Sequence, residues 1–527
     1  MNPASEGKST TSKKDAGKLQ GDPKNSNGGD PNSDGNSTST CQAGYHQRLS
    51  KKQLYTLLSL WMELFPNEEN SDNPEIVDKS GEIKINTVGL VVLKNSKIIG
   101  LHRSSKEVHA GQLAIIKHAS KLQGCELYFS RKPCSICLKM IINVGVRTVF
   151  YWPTDPEVSI MENNEKAIQD AEAVEKLKSN SHTRVQILLL PVSKDLRTFI
   201  EKTSKKSDFC EKVKKQNENV IMENFKNLFL IAQGEAHKNI LKKIGLEAIC
   251  EDSCFTTLRK TMADLIDLLE FISSSVPKLP NWGFYPTSPN KESSCTPSSY
   301  SHSGFQKVAR HCMVQAQLLS YRTEDPKTKV GAVIWAKGKS HCDGTENMYL
   351  VGCGYNGFIT GSEYADFPQM DSKDKVGSTM RKYKYIIHAE QNALYFRCQD
   401  IKEEDTPMLF VTKCPCDECV PLIKATGIKE IYTVVKDDTE DESDVKDDTE
   451  DESDVKDDTD VKDDTDPTKS QKDISYLLFP KLRCKVAFSW QKHDHPPKDP
   501  DSGAAGAAIL VSTNTDEEHC HKKIRVN

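Results

Sequence analysis

No run of about 18 to 20 apolar residues occurs in this 527-residue sequence, so no helix is expected to span a bilayer. Residues 1–45 lack the apolar stretch of a secretory signal. They are mostly Ser, Asn, Gly, Asp, Lys and Thr and read as a disordered arm. Without that route, Asn36-Ser37-Thr38 reads as an accidental match to a glycosylation acceptor. A dense basic stripe of the kind that tracks a nucleic-acid backbone is also missing. The 17 cysteines, an odd number without a signal, argue for reduced or metal-bound thiols rather than a disulfide framework, and hence for cytoplasm or nucleus. The basic pieces KKDAGK (13–18) and HCHKKIR (519–525) are too short to establish nuclear import.

What is present is length for two or three domains and a marked charge asymmetry. The net charge is −5, yet residues 435–466 hold 18 acidic and four basic side chains, a local −14, which leaves the remainder at +9. The acidic stretch is a repeat: VKDDTEDESD occurs at 435–444 and 445–454, and VKDDTD at 455 and 461. Units this short cannot form a solenoid and like charges this dense repel, so a disordered loop is expected. The mild positive excess elsewhere suits a phosphate-bearing small molecule as well as nucleic acid.

One order of elements occurs twice. Leu54, Leu57, Leu58 and Trp61 make a helical stripe, followed by a strand at 87–93, a helical stretch from His109, a strand at 125–130, a helix at 133–145 and a strand at 146–152. The second copy begins with Phe305, Val308, Ala309, Cys312, Ala316 and Leu319 on one helix face. Strands at 329–335 and 348–355, a helix from His388, a strand at 408–412, a helix at 415–426 stopping at Gly427 and a strand at 429–435 follow. Strands alternating with helices predict α/β layered domains. Residues 215–275 read as helical, and the Pro- and Ser-rich 277–300 as a linker. The expected division is an arm at 1–45, a first module at 46–205, a helical region and linker at 206–300, a second module at 301–492 with an acidic insert at 435–467, and a disordered tail at 493–527.

In the second module His388, Cys416 and Cys419 have the composition of a three-ligand zinc site, because cysteines at i and i+3 in the first turn of a helix point to one side. Three protein ligands leave the fourth tetrahedral position open, the mark of catalytic zinc. Zinc lowers the pKa of water toward neutrality, and Glu390, two residues past the histidine, supplies a carboxylate to move the proton. A C-x-x-C by itself reads equally as two buried thiols, and a single histidine as a core residue. H-x-E followed by P-C-x-x-C is the pattern of zinc nucleobase deaminases. Cys414 is expected to sit behind the ligands or to be inert.

Residues 303–435 resemble the deoxycytidylate deaminase branch of the cytidine deaminase superfamily, through EDPKTKVGAVI (324–334), VGCGYNGF (351–358), YIIHAEQNA (385–393) and PCDECVPLIKATGIKEI (415–431). The resemblance implies two three-layer α/β/α modules with mixed central sheets, a zinc cofactor and hydrolysis of cytosine C4–NH2 to uracil and ammonia. It implies a deoxycytidine nucleotide substrate, dCTP or dCMP ahead of unphosphorylated cytidine or deoxycytidine and dCTP favoured, with Asn356 touching sugar or base. Arg322, Lys327 and Lys329 are candidates for phosphate contacts. The chain departs from the family pattern at Ile359, where proline is usual, and at Gln369, where tryptophan is common. Homo-oligomers are implied too, and no membrane partner. An editing enzyme acting on polynucleotides is the alternative function, disfavoured by GYNG and the acidic loop, and a scaffold with two vestigial modules ranks last.

The first module keeps His109, Cys134 and Cys137, but HAGQLA (109–114) stands where the second has HAEQNA (388–393), so Gly111 replaces the only carboxylate. A zinc-stabilised, chemically silent copy is expected, with core thiols and no metal as the alternative. Its retention fits packing against the active copy or binding of a nucleotide effector.

Overall fold

The computed structural model describes residues 47–66, 83–161, 164–287, 303–323, 325, 328–338, 348–359, 385–435, 475–482 and 486–493. The arm, the acidic repeat, the tail, Lys327 and Gln369 lie outside the described residues.

Ser50 caps the first helix, α1 (Lys51–Glu63), by accepting from the Gln53 N–H while Gln53 reaches back to the Ser50 N–H. Strands β1 (Gly89–Lys94) and β2 (Lys97–Arg103) form a hairpin through Asn95 and Ser96, both at positive φ. Then come α2 (Ala110–His118), β3 (Glu126–Phe129), α3 (Ser135–Asn143), β4 (Thr148–Tyr151), α4 (Glu165–Ser179) and β5 (Arg184–Gln186). The sheet order is β2-β1-β3-β4-β5, antiparallel up to β3 and parallel beyond it. Helices α5 (Lys194–Lys205), α6 (Asp208–Lys215), α7 (Lys226–Phe229), α8 (Gly234–Lys243) and α9 (Asp252–Ser274) follow, in line with the helical reading of 215–275.

The stretch read as a linker contains a strand, β6 (Trp282–Pro286), which pairs antiparallel with β13 at the far end of the described chain. Prolines and serines on either side hid its alternation, in which Trp282 and Phe284 turn inward and are buried. After α10 (Ser303–Ser320) come β7 (Gly331–Lys337), β8 (Met348–Tyr355), the short pair β9 (Gly357–Phe358) and β10 (Ile386–Ile387), and α11 (Ala389–Tyr395). β11 (Thr406–Val411), α12 (Cys419–Ala425), β12 (Glu430–Thr433) and β13 (Val486–Lys492) complete the second sheet, ordered β8-β7-β11-β12-β13-β6. Apart from β6 this is the first sheet repeated, with β13 in the place of β5 although the acidic repeat separates it from β12.

Alternation along the strands builds three layers. Ala332, Ile334, Leu409, Val411 and Ile431 face the core under α11 and α12. Val333, Trp335, Phe410, Tyr432 and Phe488 face the opposite side, in a core continuous with α1, α9 and α10. On that side Phe410, Tyr432 and Phe488 stack across three strands at 4.5 Å spacings. The modules join there: the Trp61 indole donates to the His311 carbonyl at 3.0 Å and lies flat on the His311 ring, and Leu49 N–H donates to the Tyr321 carbonyl. Among the described residues no helix is long and apolar enough to cross a membrane.

Candidate metal centres and the cavity

The pairing of β9 with β10 delivers the chain to His388, whose extended backbone (φ −74°, ψ 156°) makes it the N-cap of α11. Gln391 accepts the His388 N–H at 2.9 Å, and the Asn392 amide donates to the Tyr355 carbonyl at 2.8 Å, which ties the helix start to the end of β8. From the other side, β11 ends at Val411 and the chain turns through Pro415 and Cys416 into α12. The expected helix over 415–426 begins only at Cys419; ahead of it the Asp417 N–H donates to the Ser475 carbonyl. The turn still brings the sulfurs together. His388 Nδ1 lies 3.2 Å from Cys416 Sγ and 3.3 Å from Cys419 Sγ, and the three donor atoms fall within 4.8 Å of one another. Edges of this size are near the roughly 3.6 Å that zinc–nitrogen and zinc–sulfur bonds of ordinary length subtend in a tetrahedron. The donor set fits zinc.

Glu390 sits in the first turn of α11 and is buried. Burial pushes its carboxyl up to about 7, opposed in part by its own backbone N–H and by His388. As protein groups alone, Cys416 is held down to about 4, chiefly by a hydrogen bond from Cys419, whose own thiol is pushed up. His388 is raised on balance: burial is the largest influence and opposes protonation, but the bond to Cys416 together with the charges of Cys416, Glu390 and Glu418 outweighs it. Cys414, pushed up to about 12 by burial, remains a thiol and stays outside the donor cluster.

These groups border a small, partly open cavity. Its lining includes His388, Glu390, Cys414, Cys416 and Asn356. Asn356 spends its amide on the wall, donating to the Thr328 carbonyl at 2.7 Å and accepting the Val330 N–H at 2.8 Å. Two phosphate candidates point elsewhere. Arg322 donates to the Leu49 carbonyl at 2.7 Å and so joins the modules, and the Lys329 ammonium lies 4.2 Å from the centre of the Phe199 ring. Neither lines the cavity; burial lowers Lys329 to about 8, which fits a lysine packed on aromatic rings rather than one offered to solvent. Residues that do line it and escaped the sequence reading are Asp325, Thr328, Lys413 and Tyr476. Lys413 lies two residues before the P-C-x-x-C segment, and that proximity was a usable signal. Tyr476 follows the acidic repeat and arrives only through tertiary contact, since Leu477 and Leu478 N–H groups donate to the Asp417 carboxylate.

The first module repeats the arrangement. His109 caps α2 with Gln112 in the place of Gln391, and Cys134, the N-cap of α3, lies 3.2 Å from His109 Nδ1. Cys137 completes the trio, and the Glu157 carboxylate joins the same cluster. No sequence pattern pointed to Glu157.

Comparison with known proteins places these clusters in context. Residues 74–152 and 306–435 match the cytidine and deoxycytidylate deaminase zinc-binding region. The chain is 47% identical over 426 residues to cytidine and dCMP deaminase domain-containing protein 1 of Danio rerio, spanning 76% of this chain and 87% of that one. Deoxycytidylate deaminase of Pongo abelii is 36% identical over 121 residues, 23% of this chain and 60% of its own. The dCMP deaminase of cyanophage S-TIM5, solved with dCMP and dUMP, is 25% identical over 23% of this chain and 76% of its own, with a TM-score of 0.17.

Proposed function

The chain belongs to the cytidine and deoxycytidylate deaminase family, and from that premise we propose that its second module hydrolyses cytosine to uracil on a free deoxycytidine nucleotide, dCTP ahead of dCMP. The observation that carries this reading is the convergence of Glu390, His388 and Cys416 on one cavity, with Cys419 completing the donor cluster behind them. His388, Cys416 and Cys419 would hold zinc, which when bound supplies Lewis acidity and an activated water at neutral pH. Glu390 takes the proton of the attacking water and passes it to N3 of cytosine as the C4–O bond forms. The same residue then carries the hydroxyl proton to the amino group, and ammonia departs as the C4–N bond breaks. Burial and the short tether to His388 fix where that carboxylate can reach.

Asn356 is the contact for sugar or base, and Lys413, on the cavity wall, takes over the phosphate role from Arg322 and Lys329. The departures from the dCMP deaminase pattern at Ile359 and Gln369 bear on which form of the nucleotide is taken. The test offers the purified chain dCTP, dCMP, deoxycytidine and a cytosine-containing oligonucleotide side by side. Uracil is expected in the free nucleotides, most with dCTP, and uracil only in the oligonucleotide would reverse the reading. A homo-oligomer belongs to the same proposal; light scattering that shows a monomer with substrate present would remove it.

Glycine at 354 is a condition of this geometry. A Cβ there would lie 2.5 Å from both the Ala389 carbonyl oxygen and the Ala393 amide nitrogen, so α11 lies directly on β8. Gly354→Val must push away the helix that carries Glu390, and a displacement near 1 Å is expected to lower turnover about 100-fold. Steady-state kinetics with zinc content measured in parallel would check it, and unchanged kcat would show that α11 tolerates the shift.

A further inference from the structure

In the first module the carboxylate lost from the helix is replaced by one from a loop. Glu157 follows β4, and both of its backbone groups are held: its N–H donates to the Lys132 carbonyl at 2.9 Å and its carbonyl accepts from Asn86 at 2.8 Å. Its side chain is fully buried. Oε2 accepts the Cys134 N–H at 2.8 Å, which orients the group. Oε1 lies 3.2 Å from His109 Nδ1, a contact that a protonated imidazole would satisfy as an ion pair and a shared metal ion would satisfy as a second ligand. A buried carboxylate oxygen left with neither is costly. Two ligands of one tetrahedral zinc ion lie about 3.3 Å apart when one is nitrogen and the other oxygen. The donor atoms of His109, Cys134, Cys137 and Glu157 all fall within 4.8 Å of one another.

A second observation is independent of Glu157. A Cβ at Gly111 would lie 2.9 Å from Cys137 Cβ and 3.0 Å from its Sγ, so α2 and α3 approach too closely for any side chain at the position where the second module carries Glu390. The proton carrier has been lost and its space filled.

We infer that the first module holds a closed, structural metal centre with four protein ligands, His109, Cys134, Cys137 and Glu157, in which Glu157 takes the coordination position that a water needs for catalysis. Glu157 lies beyond residues 74–152, the segment that matches the zinc-binding family model. Closed four-ligand sites stabilise folds, and sites with an open position do chemistry. The two modules thus divide those tasks, and Gly111→Glu is expected to leave the first one inactive.

The test uses the full chain and reads metal rather than turnover, so it stands apart from the deamination assay. Wild type is expected to bind two zinc ions and Cys416→Ala one. Cobalt loaded into Cys416→Ala should give a visible d–d spectrum that added azide leaves unchanged, because no coordination position is open. Adding Glu157→Ala should make that spectrum respond to azide and speed metal release to a chelator at least about tenfold. If that variant does not fold, Glu157→Gln, which keeps the side-chain shape, serves in its place, with circular dichroism to verify folding. A Cys416→Ala chain that folds without metal, or a cobalt spectrum that azide shifts while Glu157 is intact, overturns the inference.

Discussion

Glu390→Gln is expected to lower deamination by about 10³- to 10⁴-fold while zinc content stays at the wild-type level, because general acid–base catalysis contributes roughly 10²- to 10⁴-fold and one carboxylate here serves both proton transfers. Glutamine keeps the size and hydrogen-bonding edge of the buried side chain, so the cavity persists and only ionisation is lost. Stability should not fall with it. In the metal-free chain burial raises the Glu390 carboxyl to about 7, so keeping it charged above that pH opposes folding of that form, and a neutral amide removes the opposition. The linkage has a definite sign: the benefit of the amide appears as pH rises through 7 and vanishes below the ordinary carboxylate range. Urea titrations at pH 8 and pH 5 would measure it. Turnover within tenfold of wild type, with zinc retained, would remove Glu390 from the chemistry.

Trp61→Ala is expected to destabilise the chain by about 3 to 5 kcal/mol, the range for truncating a buried tryptophan. Trp61 is only 3% exposed. Its ring stacks on His311 at 4.7 Å with an interplanar angle of 9°, and Phe65 meets the same imidazole edge-on at 4.8 Å. His311 belongs to α10 of the second module, whereas Trp61 and Phe65 belong to α1 and the residues just after it. The substitution therefore opens a cavity where the modules meet and deletes the bond to the His311 carbonyl. The first module would then act as a scaffold whose loss is felt at the second. Chemical denaturation read by circular dichroism, with deamination measured on the same sample, would show whether the two fall together; a loss below about 1 kcal/mol would mean that the contact relaxes freely.

Local patterns carried far in this protein because most of the fold is built from short-range rules. Short apolar runs marked β1, β3, β4, β7, β8, β11 and β12, and the stripe at Leu54, Leu57, Leu58 and Trp61 marked α1. β13 escaped because its pairing partners β12 and β6 lie across the acidic repeat and across some 200 residues of chain, and nothing within Val486–Lys492 announces a distant partner. β2 escaped for a smaller reason: its burial pattern is irregular and the turn at Asn95-Ser96 lacks glycine. The trios His109, Cys134, Cys137 and His388, Cys416, Cys419 were legible because metal ligation needs particular side chains at spacings that a helix or tight turn can close. Lysines and arginines have no such constraint. Arg322 and Lys329 carried the right charge, but their direction is set by Leu49 and Phe199 from other elements.

By itself the sequence determined the duplication, the layered α/β architecture, the two His-Cys-Cys trios and the missing carboxylate at Gly111, because each depends on residue type and local spacing. Only the tertiary structure decided that Lys413 rather than Lys329 borders the cavity, that β13 joins the second sheet, and that Glu157 lies with His109, Cys134 and Cys137 in one donor cluster. Those outcomes depend on which distant segments share a wall, and packing of many side chains, rather than any one motif, sets that proximity.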